Sequence, residues 1–240
     1  MKPPKSQKHT GKLLPVFVLL LFVAAVAAGV WWDRNSPVRD VRFSGYDYTL
    51  AEELQHSFEL PEGVHPDSLD FREIREAVEE LPYIRSSAVR MSAGGRMVID
   101  VEEREPLALL ADGSVYVDRD GVKLPRTEHR TPDLPLLHGF PAQPVSEPLT
   151  GQEFDHMSRF LEQARASETG WATLSEIGWD PDEGVIALTQ EEGIKLIFGR
   201  GTYEDRLRYW NAFYREVVAI EQRDDFGVVD LRFRNQIVTR

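Results

Sequence analysis

The sequence predicts an α+β protein whose two small domains follow one N-terminal transmembrane helix. Two observations predict the fold class: an uncharged run of 20 residues from Leu13 to Trp32, and, after it, segments of helical and of strand periodicity in alternation. A third, the Glu105-Pro106 break between a β-α-α-β-β order and a strand-rich remainder, predicts two domains.

The apolar run LLPVFVLLLFVAAVAAGVWW, wound as a helix, would cross roughly 30 Å of hydrocarbon. Before it, residues 1–12 carry Lys2, Lys5, Lys8 and Lys12 and no acid; after it, the other 24 Lys and Arg face all 40 Asp and Glu, a balance of −16. Basic residues beside a span stay in the cytoplasm, so the tail is expected inside and the remainder outside. Leu13 opens the anchor, and Trp31 and Trp32 close it at the far interface. A cleaved signal peptide, with Ala25-Val26-Ala27 as its cleavage site, is the competing reading; the apolar run continues five residues beyond Ala27, as an anchor does. Asp33 to Pro37 reads as a connector.

Residues 38–105 read as the first domain. Val38 to Phe43 alternates as a strand, and Thr49 with Glu52 forms a capping box for a helix presenting Leu50, Leu54 and Phe58. A second amphipathic helix begins near Asp67, with Phe71, Ile74, Val78 and Leu81 on one face. Strands Ile84 to Met91 and Met97 to Glu102 follow, joined at Ala93-Gly94-Gly95, whose glycines permit the positive φ of a tight hairpin.

Residues 106–240 read as a mainly antiparallel β domain with two packed helices. Asp112-Gly113 and Asp120-Gly121 punctuate a meander over Leu107 to Leu124. A proline-rich stretch, Pro125 to Pro148, tucks Leu134, Leu136 and Leu137 against the core. A helix from Gln152 to Ser167 precedes strands Leu174 to Trp179, Val185 to Thr189 and Ile194 to Phe198, and a second helix, Tyr203 to Ile220, has Thr202 and Asp205 as a weak capping box. Val228 to Val238 is the cleanest strand pattern in the chain, expected as one continuous element.

With no cysteine, the protein has no disulfide framework, thiolate chemistry or Cys-ligated zinc. A region at −16 repels polyphosphates, which excludes nucleic acid as a natural partner. No nucleophile elbow, P-loop, zincin or dinucleotide motif is present. Gly199-Arg200-Gly201 reads better as a strand-to-helix turn than as a phosphate cradle, and His56, His65 and Asp67 lack metal-ligand spacing. Glu102-Glu103 and Glu191-Glu192 read as solvated surface, not as a catalytic pair. No metal and no cofactor is expected. The feature with functional content is the last strand, whose edge could accept a partner's strand, with Arg232, Arg234 and Arg240 favouring an acidic one.

VRDVRFSGY, LPYIRSSAVR and IDVEEREPLAL, then VYVDRDGVKLP, LPLLHGF, GIKLIFGRG and VVDLRFRNQIVTR, occur in the order in which they resemble motifs of the FtsQ/DivIB family of bacterial cell-division proteins. The resemblance implies a POTRA domain followed by the family's β domain. It implies a non-enzymatic inner-membrane protein of the division septum that binds FtsB and FtsL, with FtsB added as a strand at the end of the β domain. Carried over residue by residue, the partner-binding positions are Arg200, Arg232, Phe233, Asn235 and Gln236, the two arginines meeting acidic side chains of the partner. Phe233 stands where the family often has Tyr. The POTRA domain is expected to contact other division proteins through a sheet edge. The alternative is a membrane-tethered enzyme or carbohydrate-binding module, with Trp171, Trp179, Tyr203, Tyr209 and Trp210 as a sugar platform; their spacing favours core burial.

Overall fold

The structure, a computed structural model, describes residues 13–34, 36–191, 193–201, 203–220, 226–234 and 236–240. The basic tail, Thr202 and Asn235 lie outside the described residues, and of Leu13 only the backbone is described. The chain divides into two compact units, Met1–Glu103 and Arg104–Arg240.

The first unit begins with helix α1, Leu13–Arg34, two residues longer than the apolar run. Pro15 is tolerated in its first turn, where its missing N–H would have no helical acceptor. From Pro15 to Trp32 every side chain is exposed, with Phe22 at 66% and Trp32 at 68%. A continuous apolar surface of this kind is stable against lipid and not against water.

Strand β1 (Asp40–Ser44), helices α2 (Ala51–His56) and α3 (Phe71–Glu79), and strands β2 (Ile84–Ser92) and β3 (Arg96–Glu103) follow in the expected β-α-α-β-β order. The sheet order is β1-β3-β2, with β1 parallel and β2 antiparallel to β3. Gly94 and Gly95 take the positive φ that the β2–β3 turn demands. Alternation sends Met97, Ile99 and Val101 inward to meet Leu54, Ile74 and Val78 of the helices. The opposite face carries ion pairs, Asp40 with Arg42 along β1 and, across strands, Asp40 with Arg96 and Asp100 with Arg90. Helix α2 starts two residues after the expected Thr49 cap, because Glu53 reaches back to the Leu50 N–H at 3.0 Å while Thr49 gives its own N–H to Glu103. Helix α3 is capped by Asp70, which accepts from the Arg72 and Glu73 N–H groups; Asp67 belongs to a preceding 3-10 turn, Pro66–Ser68.

Among the described residues of the second unit, nine strands form one sheet: β4 (Pro106–Leu110), β5 (Val115–Asp118), β6 (Lys123–Pro125), β7 (Leu136–His138), β8 (Leu174–Asp180), β9 (Gly184–Thr189), β10 (Lys195–Gly199), β11 (Val228–Asp230) and β12 (Val238–Thr239). Their order is β12-β11-β10-β9-β8-β7-β4-β5-β6. The two meanders are antiparallel; β7, cut from the proline-rich stretch, joins them by pairing parallel to both β4 and β8. Helices α4 (Gln152–Arg165) and α6 (Tyr203–Glu216) cover the core, with Phe160 and Trp210 fully enclosed, each burial stabilising by roughly 1.5–3 kcal/mol. A third helix, α5 (Glu168–Thr173), was not expected; Ser167 caps it by accepting the Gly170 N–H. A 3-10 turn, Val218–Ile220, replaces the end of the expected second helix.

The expected continuous strand Val228 to Val238 is corrected: it is two short strands, β11 and β12, paired antiparallel, with Arg232 and Phe233 in the connection between them. Strand alternation holds through Leu231, which is buried and donates its N–H to Ile197 O. At Arg232 the backbone N–H instead goes to the Asp230 carboxylate, 3.2 Å away, and this local bond turns the chain out of the ladder.

A candidate partner-docking edge

Strand β11 is paired on both sides, parallel to β10 and antiparallel to β12, and offers nothing to a partner. Strand β12 ends the sheet. Val228 and Arg240 exchange both N–H to O bonds, at 3.0 Å each, so antiparallel alternation turns Val238 and Arg240 toward β11 and the backbone groups of Ile237 and Thr239 away from it. The opposite edge is blunted. There β6 ends in Pro125, Leu149 donates its N–H to Gly121 O, and the Lys123 ammonium donates to Pro144 O.

Of the residues expected to bind a partner, Arg232 and Phe233 lie in the β11–β12 connection, Gln236 lies just before β12, and Arg200 follows β10. Phe233 is 43% exposed, a high value for a large apolar side chain, and Gln236 is exposed. Arg200 is exposed, donates to Pro181 O and stands over the Trp179 ring, 5.4 Å from its centre. The stem of Arg232 lies against Gly199, next to Arg200: a Cβ on Gly199 would come within 2.9 Å of Arg232 Cγ. Asn235 falls outside the described residues.

Arg232 is not a free charge. Its Nε and Nη2 donate to Asp230 at 2.9 and 2.6 Å, and Arg240 Nη2 stands 3.6 Å from the same carboxylate. Burial alone would raise the pKa of Asp230; the hydrogen bonds from Arg232 and the charges of Arg232 and Arg240 outweigh it and hold the carboxyl below its ordinary range. One buried carboxylate thus meets two arginines, with Arg206 beside them donating to Phe198 O and Gly201 O. Since those two carbonyls of the Gly199-Arg200-Gly201 turn and its approach face a cation, the turn is no phosphate cradle.

Residues 108–232 match the model of the cell division protein FtsQ/DivIB C-terminal family, and residues 36–104 match the FtsQ-type POTRA domain. The chain belongs to the FtsQ/DivIB family. Cell division protein FtsQ of Rhodothermus marinus is 28% identical over 99% of this chain and 90% of its own length. FtsQ of Salinibacter ruber is 28% identical over 92% of this chain and 90% of its own length, and FtsQ of an Anaeromyxobacter species 29% over 81% and 69%.

This FtsQ/DivIB member is therefore a cell-division protein with one N-terminal apolar helix of membrane-spanning length, a POTRA domain and a sheet-rich C-terminal domain. The aromatic residues weighed as a sugar platform are dispersed. Trp210 and Tyr203 are buried, Trp171 and Tyr209 pack on the core, and Trp179 stacks on His156 at 5.2 Å with Arg200 also over its ring. His65 Nδ1 accepts the Asp67 N–H and His56 contacts Glu52 O, so each serves its own turn. Glu102 bonds the Ser86 hydroxyl, whereas Glu103 binds three backbone N–H groups. Sequence reasoning missed Asp230 and Gly199. Their available signals were an acid two residues before an arginine and a glycine closing a strand.

Proposed function

We propose that this protein is a non-enzymatic scaffold of the division septum in the inner membrane, its N-terminus cytoplasmic and its POTRA domain (38–105) and β domain (106–240) outside. It receives FtsB, of the FtsB/FtsL subcomplex, as a strand added along β12. The observation that carries this reading is the outward backbone of Ile237 and Thr239 on the last strand of the sheet. Phe233 supplies an apolar anchor beside that edge, and Arg200 a charge for an acidic side chain. Pairing of two copies through β12 is disfavoured, because it would bring together the exposed Arg234 and Arg240 of both copies, a positive charge beyond what Asp230 offsets.

Other division-complex proteins would meet the POTRA sheet at its outer strand β2. Ser87 there gives its outward N–H to Glu79, at 2.8 Å, which leaves the same side of Val89 and Met91 for a partner.

The test is binding of cognate FtsB to the full chain in detergent. Phe233→Ala and Arg200→Glu should each weaken it at least tenfold while each variant still unfolds cooperatively. Arg232 is the wrong residue for charge reversal, since a carboxylate there would face buried Asp230. Unchanged affinity in both folded variants would remove the proposed interface.

A further inference from the structure

Strand β12 is held by little. It has two ladder residues, extended by the bonds from the Gly227 and Val228 N–H groups to Arg240 O and from the Arg240 N–H to Val228 O. It is a two-residue edge strand paired on one side only, and residues 231–237 contain no glycine to supply a positive φ and no proline to fix one.

What closes the ribbon is Asp230. Its side chain is 1% exposed, and its carboxylate meets Arg232, just after β11, and Arg240, just after β12. One carboxylate thereby ties the segment that leaves β11 to the residue that follows β12, on the strand's far side from the connection. Gly199 makes room for this, because a side chain there would occupy the space of the Arg232 stem.

We infer that Asp230 is the positioning residue of the docking edge: by gripping Arg232 and Arg240 together it keeps β12 folded onto β11, with Ile237 and Thr239 turned outward for a partner strand. The inference rests on reading β12 as the FtsB-binding strand. Asp230 itself is buried and touches no partner; its effect passes through the hairpin.

The experiment uses the full chain in detergent, Asp230→Asn, amide hydrogen exchange of the unbound protein and binding of cognate FtsB. The variant keeps the shape of the side chain and removes its charge. Exchange at Val238 and Arg240 should accelerate at least tenfold while α4 and α6 stay protected, and FtsB affinity should fall at least tenfold. Arg240→Gln, which leaves the buried carboxylate in place, should do the same to a smaller extent and serves if Asp230→Asn misfolds.

A disulfide between Val229→Cys and Thr239→Cys then separates positioning from direct contact. These residues oppose one another in a non-hydrogen-bonded pair, and the chain has no other cysteine. Locking the hairpin should restore both protection and affinity to Asp230→Asn. Unchanged exchange in the charge-removing variants overturns the inference, as does lost affinity that the disulfide fails to restore. Absence of FtsB binding by the unaltered chain would sink the docking reading instead, and the exchange measurement would still decide whether Asp230 holds β12.

Discussion

Glu103 holds Thr49 in place across 54 residues of sequence: its Oε1 accepts the Thr49 N–H at 2.7 Å, while Oε2 accepts those of Asp47 and Tyr48 at 2.6 and 2.8 Å. Three consecutive amides that would otherwise need water are satisfied by one carboxylate, which ties the β1–α2 turn to the end of β3. Glu103→Gln retains one acceptor oxygen and loses the charge. The first unit should lose about 1–3 kcal/mol, read as a lower denaturation midpoint, and exchange at 47–49 should accelerate first. Slow exchange there in the variant would show that the turn holds itself.

Gly199 is required for two reasons that act together. Its φ is +71°, a region costly for other residues, and a Cβ would approach Arg232 Cγ to 2.9 Å and Cδ to 3.0 Å. Gly199→Ala should destabilise the β domain by about 2 kcal/mol or more, from backbone strain and a displaced arginine together. It should also weaken FtsB binding, unlike an alanine at Gly193, where a Cβ would meet nothing within 4 Å. Equal binding by the two variants would separate Gly199 from the docking edge.

Most elements were legible because their periodicity reports burial. Leu54 in α2, Ile74 and Val78 in α3, and Leu137 in β7 are buried at the positions the pattern assigns. The pattern failed where a local side-chain bond beat the ladder. Val229, Leu231, Phe233 and Ile237 alternate as in a strand, yet Phe233 is exposed because Asp230 captures the Arg232 N–H one residue earlier. Thr49 misled in the same way, since its N–H was claimed by an acid far off in sequence. The strand and charge pattern of the C-terminal segment singled out Arg232 as a candidate, whereas Arg200, Phe233, Asn235 and Gln236 became candidates only through the family resemblance. Asp230 escaped, because nothing in a sequence distinguishes a buried acid from a solvent-facing one in an alternating strand.

His156 reports on the charge around Arg200. Its Nδ1 lies 2.8 Å from the Tyr203 hydroxyl, and burial, then the nearby Arg159 and Arg200 charges, push its pKa below the ordinary 6.5. The neutral ring is the form the fold prefers. As pH falls from about 6.5 toward the folded value, the unfolded chain takes up the proton first, so the domain loses stability over that window and keeps it above. Arg200→Gln should raise the His156 pKa toward 6.5, followed by NMR of the ring protons, and shrink the stability loss on acidification. An unmoved titration would mean that solvent screens Arg200 from this ring.

Proline substitution can separate the two sides of β12. A proline at 238 removes an N–H directed at β11 and should open the hairpin, speeding exchange at Arg240. A proline at 239 removes an N–H directed outward, so the β11 ladder keeps its bonds. If FtsB adds as a strand, Thr239→Pro should reduce its affinity at least tenfold while Arg240 stays protected. Val238→Pro should lose both. Full binding by Thr239→Pro would mean that the partner grips side chains such as Phe233 and not the backbone, because docking through an edge requires the N–H and C=O groups of Ile237 and Thr239 themselves.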